Sequence, residues 1–453
     1  MRILVIGINY SPELTGVGRY TGEMVDALVQ GGHEVRVVTA PPYYPEWRVA
    51  AGHSAARFRV DRFSNLTIYR CPLWVPSRPG TLKRILHLAS FAFSSMPVAL
   101  WQAFWKPEIV WTVEPPLFVS PAAIVVAKLS GACAWLHVQD YEIDAAFGLG
   151  ILKGGRIRRA ALAVERILFR RFDRISSISN RMLARAQEKG VPPEKLVFFP
   201  NWVDISHISP LFETSPYRAQ LDIPEGAVVA LYSGNMAGKQ GLEILGEVAQ
   251  RLRDHGKLVF VFCGDGRGKA ALKQQCSGLK NVQFLSLQPM ERLNELLGMA
   301  DIHLLPQHAD AADLVMPSKL TGMLASGRPV IATAAVGTEL AMMVNGRGLV
   351  TPPGDGEAFA AAILELAGDH AARQRYGVCA REYAKQYLGR HAVLARFEQD
   401  LLACMNEKRS RRSGHRHGLS QRSVQKSSSA RGEKTARPVA DQQDRPPKSN
   451  ESP

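Results

Sequence analysis

Ile3-Leu4-Val5-Ile6-Gly7-Ile8 is an apolar run of strand length directly behind Met1-Arg2. The loop Ser11-Pro12-Glu13-Leu14-Thr15-Gly16-Val17-Gly18 follows it. Residues 20–30 have helical spacing, Gly31-Gly32 ends them, and residues 34–39 read as a second strand. Strand, helix and strand in that order predict a β-α-β unit with parallel strands. The first run is short and has no small-residue cleavage site behind it, so it reads as a buried strand and not an export signal.

The same grammar continues outward from this unit. Further apolar strands are predicted at residues 66–70, 109–113, 133–138 and 174–177, with helical stretches between them. A second series falls at 228–233, 258–263, 282–284, 302–305, 330–332 and 348–350. Alternating strands and helices give parallel sheets covered on both faces, with right-handed crossovers. The expected fold class is α/β: two Rossmann-like, doubly wound parallel-sheet domains facing each other across a cleft. Pro200, Pro210 and Pro216 mark the boundary between them. The expected division is residues 1–205, residues 206–388, a helix at 389–405 packing back on the first domain, and a disordered tail at 406–453. In such sheets ligands bind at the carboxyl ends of the strands.

Charge points to anionic partners. Lys+Arg outnumber Asp+Glu by 56 to 41, a net +15. Residues 406–453 carry 12 Lys+Arg against 5 Asp+Glu, a net +7, which leaves +8 for residues 1–405. The tail is too polar to offset the entropy of ordering it. It reads as a solvated extension or as a polybasic arm for anionic lipid. In the first half, Lys153, Arg156, Arg158, Arg159, Arg166 and Arg170 alternate with apolar residues at helical spacing. That pattern predicts a basic amphipathic helix, packed on a core or laid on a membrane surface. Residues 85–105 contain no charged side chain. They are long enough to span a bilayer, but Pro97, His87, Ser94, Ser95 and Gln102 favour a buried or membrane-surface helix pair. Clustered aromatics there favour lipid over nucleic acid, which is not expected as a partner. Six scattered cysteines without a Cys-x-x-Cys pair exclude a disulfide framework and a zinc ribbon, and fit a reducing compartment.

The loops after the strands carry the candidate chemistry. Gly16 and Gly18 allow backbone amides to approach an anion, but the third glycine of a dinucleotide fingerprint would fall at Thr21. No Gly-x-x-x-x-Gly-Lys-Ser/Thr occurs. Oxidoreductase and ATP-kinase readings are therefore poor. Ser233-Gly234-Asn235-Met236-Ala237-Gly238-Lys239 places one lysine just before a helix, where it can neutralise a diphosphate. Gly264-Asp265-Gly266 permits close backbone approach to a ligand. Ser318 and Lys319 open another helix and suit phosphate.

Taken together, the opening loop, Asn201-Trp202-Val203-Asp204, Gly264-Asp265-Gly266 and Ser326-Gly327-Arg328-Pro329-Val330-Ile331-Ala332 resemble a two-domain (GT-B) glycosyltransferase of family 4 over residues 1–405. His137-Val138-Gln139-Asp140-Tyr141-Glu142-Ile143-Asp144, Ser233-Gly234-Asn235 and Met316-Pro317-Ser318-Lys319-Leu320 resemble the bacterial exopolysaccharide subgroup that contains the colanic acid fucosyltransferase. The resemblance implies a nucleotide-sugar donor in the second domain, an acceptor in the first and no obligatory metal or cofactor. It implies donor contacts from Gly16, Gly18, Asn235, Lys239, Gly264, Asp265, Gly266, Ser318 and Lys319. It also implies retention of configuration, with fucose from GDP-fucose favoured. A lipid-linked saccharide acceptor on the cytoplasmic face of the plasma membrane fits the basic, aromatic first half.

Two departures stand out. Asn235 replaces a common arginine. The two glutamates usual in the family would fall at Leu314 and Gly322, so Asp310 or Asp313 would have to substitute. His137 and Asp140 follow a strand and are expected to face the cleft as groups that position the acceptor or handle its proton. A core histidine and a helix N-cap are their structural alternatives. A nucleotide-sugar epimerase and a non-catalytic nucleotide-sugar-binding partner are the competing functions.

Overall fold

A computed structural model describes residues 1–13, 16–77, 80–144, 155–236, 240–308 and 317–429. The chain divides at Met405/Asn406 into two units, the point where its composition changes.

The first unit holds two sheets. One is built from β1 (Arg2–Ile6), β2 (Glu34–Thr39), β3 (Arg59–Arg62), β4 (Leu66–Arg70), β5 (Ile109–Glu114), β6 (Cys133–Val138), β7 (Arg174–Ser177) and β8 (Leu196–Phe198), in the order β3-β4-β2-β1-β5-β6-β7-β8. All neighbours are parallel except β3, which runs antiparallel to β4 at the edge. Sequence reading misses β3 because Arg57-Phe58-Arg59-Val60-Asp61-Arg62 is a charged edge hairpin, not an apolar run. It misses β8 because three residues give no period. The second sheet comprises β9 (Val228–Ser233), β10 (Leu258–Cys263), β11 (Val282–Leu285), β12 (Ile302–Leu305), β13 (Val330–Thr333) and β14 (Gly348–Thr351), ordered β11-β10-β9-β12-β13-β14 and parallel throughout.

Side-chain alternation assigns the faces. Leu4 and Ile6 of β1 join Val110, Leu136 and Val138 beneath the helices Thr81–Trp101, Ser120–Ser130 and Gly155–Arg171. Ile3 and Val5 point the other way, toward Met24 and Leu28 of the helix Gly16–Gln30. Phe397 and Leu401 of the final helix lie in that same cluster. Phe397 stacks on Phe199 with ring centroids 4.0 Å apart. The last helix of the chain therefore completes the core of the first domain.

Two findings depart from the sequence reading. Cys133 and Cys404 are joined by a disulfide across 271 positions, with Cα atoms 6.3 Å apart. This corrects the expectation that excluded a disulfide framework, since packing of the final helix on the first domain brings Cys404 to β6. That helix runs over Arg390–Ser429, and residues 430–453 lie outside those described. Residues 85–105 belong to one helix containing Pro97, followed by a 3-10 turn at Gln102–Trp105. Among the described residues, no helix is long and apolar enough to cross a membrane.

Candidate active site

Parallel strands end together, so their loops collect at one rim of each sheet. In the second domain, β9 and β10 run in register from Val228↔Leu258 to Ser233↔Cys263. Their next residues are Gly234 and Gly264, both at positive φ (133° and 149°). A Cβ on Gly264 would lie 1.9 Å from the Gly234 carbonyl oxygen, and one on Gly266 would lie 2.6 Å from that of Met236. The glycines are thus required by the approach of one loop to the other. Met236 N–H donates to the Asp265 carbonyl at 2.9 Å and holds them together.

Lys319 begins the helix Lys319–Ala325, and its stem crosses this junction. A Cβ on Gly234 would sit 3.2 Å from Lys319 Cδ. The ammonium lies 4.1 Å from the Tyr232 ring centroid and donates to Gln240 Oε1 at 3.1 Å. Burial lowers its pKa from 10.5 to about 7. A half-buried cation lacking full solvation suits an anion.

The other donor candidates are placed as follows. Ser318 is the N-cap residue of the Lys319 helix. Asn235 is exposed, and its carbonyl accepts from the Tyr232 hydroxyl at 2.7 Å. Asp265 pairs with Lys269 at 2.6 Å and accepts from Leu287 N–H at 2.9 Å, which lowers its pKa. Its carboxylate is committed to the fold of its own loop. Lys239, Asp310 and Asp313 lie outside the described residues.

From the first domain, Gly16 starts the opposing helix at φ 60°. Gly18 is needed because a Cβ there would lie 2.5 Å from Glu13 Oε2. Glu13 is buried and accepts from the backbone N–H of Tyr43 and Tyr44, both at 3.1 Å, and from Asn9 at 2.9 Å. It fastens the glycine loop to the loop after β2. Tyr20, also buried, lies beside the side chains of Thr321 and Ser318, which oppose the rise that burial gives its pKa. The first helix of one domain therefore touches the donor-side helix of the other.

His137 requires a correction. It is 2% exposed, within β6, and stacked on Trp111 at 5.4 Å. Its Nδ1 lies 2.9 Å from Ser176 Oγ and its Nε2 lies 2.9 Å from the Gln139 amide nitrogen. Burial drives its pKa down to about 3. A neutral ring with both nitrogens engaged does not face a cleft, so His137 serves the core.

Asp140 is half-buried just beyond β6. Its charge raises the pKa of both Tyr44 and Glu142, while Arg84 opposes both shifts. Gly16 is also close to Tyr44, at 3.8 Å from a built Cβ to Cε1. Asp140, Tyr44, Arg84 and Gly16 thus share one rim. Sequence reading missed Tyr20, Tyr44 and Arg84, which carry no motif. Glu339, the first residue of the helix Glu339–Val344, accepts from Arg181 N–H at 2.9 Å and Asn180 Nδ2 at 3.2 Å. It ties the domains together at the start of the helix Asn180–Glu188.

Known proteins match this arrangement in both halves. Residues 15–202 match the model of the glycosyl transferase 4-like domain, and residues 227–369 match that of glycosyl transferases group 1. Over 411 residues the chain is 46% identical to the putative colanic acid biosynthesis glycosyl transferase WcaI of Escherichia coli K12, covering 88% of this chain and 100% of that protein. Sucrose-phosphate synthase from Thermosynechococcus elongatus shares the fold, with TM-score 0.68, 17% identity, and 88% and 97% of the two chains covered. So does Anabaena HepE, solved in complex with UDP and glucose, with TM-score 0.64, 15% identity, and 89% and 100% covered. Two parallel-sheet domains, two matching family models and a relative 46% identical from end to end make the chain a member of the family 4 glycosyltransferases.

Proposed function

We propose that this glycosyltransferase moves a sugar from a nucleotide-sugar donor to a lipid-linked or growing saccharide in exopolysaccharide assembly, colanic acid being the polymer named for its relative. Lys319 is the observation that carries the donor reading: a half-buried lysine, its pKa lowered to about 7, at a junction built from Gly234, Gly264 and Gly266. Its charge and nearby backbone amides neutralise the diphosphate as it leaves, without a metal. In the step, the acceptor oxygen bonds to the anomeric carbon while that carbon's bond to the phosphate oxygen breaks. The hydroxyl proton passes to the departing phosphate, on the retained face. Asp140, with Tyr44 and Arg84, orients the acceptor from the first domain. The work is done at the cytoplasmic face of the membrane.

Fucose from GDP-fucose is the favoured donor, on the subgroup resemblance. A panel of GDP-, UDP- and dTDP-sugars tests this by thermal shift and by transfer to extracted membrane lipid, with and without EDTA. Transfer from GDP-fucose, unaffected by EDTA, is expected. No transfer from any donor to any membrane fraction would overturn the reading.

A further inference from the structure

Three helices cover one face of the eight-stranded sheet, and each is apolar on both sides. Inward, Leu88, Phe91, Val126 and Phe169 enter the core beneath them. Outward, the helix Thr81–Trp101 exposes Leu82, Leu86, Phe93 and Met96 along one stripe, with Trp101 and Phe104 at its end. Phe93 is 73% exposed and Phe104 85%. The helix Ser120–Ser130 adds Val125 and Leu129. The helix Gly155–Arg171 adds Ile157, Val164 and Ile167, spaced seven and three apart. The three helices are neighbours, and exposed apolar side chains gathered on one face in this way mark an interaction site.

Charge selects the partner. Lys83, Arg84 and Lys128 stand among these side chains, as do Arg156, Arg166, Arg170 and Arg171 on the third helix. The three helices contain one carboxylate, Glu165, which is fully buried against Lys189. A protein partner would have to leave these cations unmatched or supply a wholly acidic face. Apolar side chains, aromatics at one end and unopposed lysine and arginine are the composition of an interfacial surface. Arg84 also reaches the rim shared by Asp140 and Tyr44, so the same surface adjoins the proposed acceptor position.

We infer that this three-helix face docks on an anionic lipid bilayer, with its apolar side chains in the headgroup boundary and its cations on lipid phosphates. The inference rests on the reading of a membrane-borne acceptor and adds the surface that meets it.

The test is co-flotation of the full chain with vesicles of phosphatidylcholine alone or mixed with phosphatidylglycerol. The wild type should bind the anionic vesicles and be released as salt rises. The double substitution F93S/F104S should weaken binding roughly tenfold, and the charge reversal R166E/R170E should act likewise. Val336→Ser, at an exposed residue of the second domain, should change nothing. Nucleotide-sugar thermal shift should be unaltered in all variants, which shows that they are folded. Wild-type binding that survives both double substitutions would overturn this surface while leaving a membrane location intact. Absence of wild-type binding would overturn both. Substitutions that change only the oligomeric state would overturn the lipid assignment in favour of a second copy. Vesicle binding without sugar transfer to lipid would support the surface and count against the acceptor reading.

Discussion

Lys319 Nζ sits 4.1 Å from the centre of the Tyr232 ring, and burial alone brings its pKa down to about 7. The unfolded chain holds this proton up to its ordinary value of 10.5. Between pH 7 and 10.5 the unfolded state binds more protons, so the unliganded protein gains stability from this group as pH rises through that window. An arriving diphosphate reverses the shift. Nucleotide binding should take up about half a proton at pH 7 and most of one near pH 8. Calorimetry in buffers of different ionisation heat reads this directly. Lys319→Met should abolish the uptake and weaken nucleotide binding roughly tenfold or more; unchanged uptake would remove Lys319 from the site.

His137 and Asp140 should separate cleanly. His137→Gln should leave kcat within about twofold and lower stability by about 1–2 kcal/mol through its lost hydrogen bonds. Asp140→Asn should lower kcat or raise KM for the acceptor by tenfold or more, with an unchanged melting temperature. A large kcat loss in His137→Gln, with the fold intact, would restore it to the chemistry.

Two of the buried histidines also set an acid limit. His137 and His303 both have pKa values depressed from 6.5 to about 3 by burial. Their stabilising contribution is present above pH 6.5 and falls away as pH drops toward 3, because the unfolded state takes up protons there first. Melting temperature should therefore decline below pH 6.5. His303→Gln should flatten that decline.

Gly264→Ala should be far worse than Gly52→Ala. Both have positive φ, but a Cβ at Gly264 meets the Gly234 carbonyl whereas Gly52 faces open space. A loss of about 3 kcal/mol and of nucleotide binding is expected for the first, and about 1 kcal/mol or less for the second. Chemical denaturation with nucleotide titration measures both.

The end of the chain should divide functionally at its composition break. Truncation after Met405 should preserve stability and donor binding, because residues 1–405 form a unit by themselves. Phe397→Ala, within that unit, should cost about 3–5 kcal/mol, since its ring is buried against Phe199, Trp135 and Trp111.

Much of the molecule could be read along the chain. Strand runs such as 109–113 and 258–263 are apolar because they are covered on both faces, and that local requirement is written into consecutive residues. The glycine junction at Gly234, Gly264 and Gly266 was also legible, since loops after parallel strands must gather at one rim. Edge elements were not. The β3 hairpin is charged because one side meets water, so it lacks the signal by which strands are recognised.

Tertiary packing decided the rest. Identical reasoning placed His137 and Asp140 after the same strand, yet one ring turned into the Trp111 stack and the other side chain reached the rim. Side chains alternate across a sheet, and a difference of three positions at the strand's end, where the alternation breaks, is beyond sequence periodicity. Tyr20 on Ser318, Arg181 on Glu339 and Cys133 on Cys404 join positions more than a hundred residues apart, and no local pattern encodes such pairs. The two sheets and their glycine loops follow from the order of residues, because burial acts residue by residue. The partners of each polar group depend on which distant segment arrives beside it, and only the folded chain settles that.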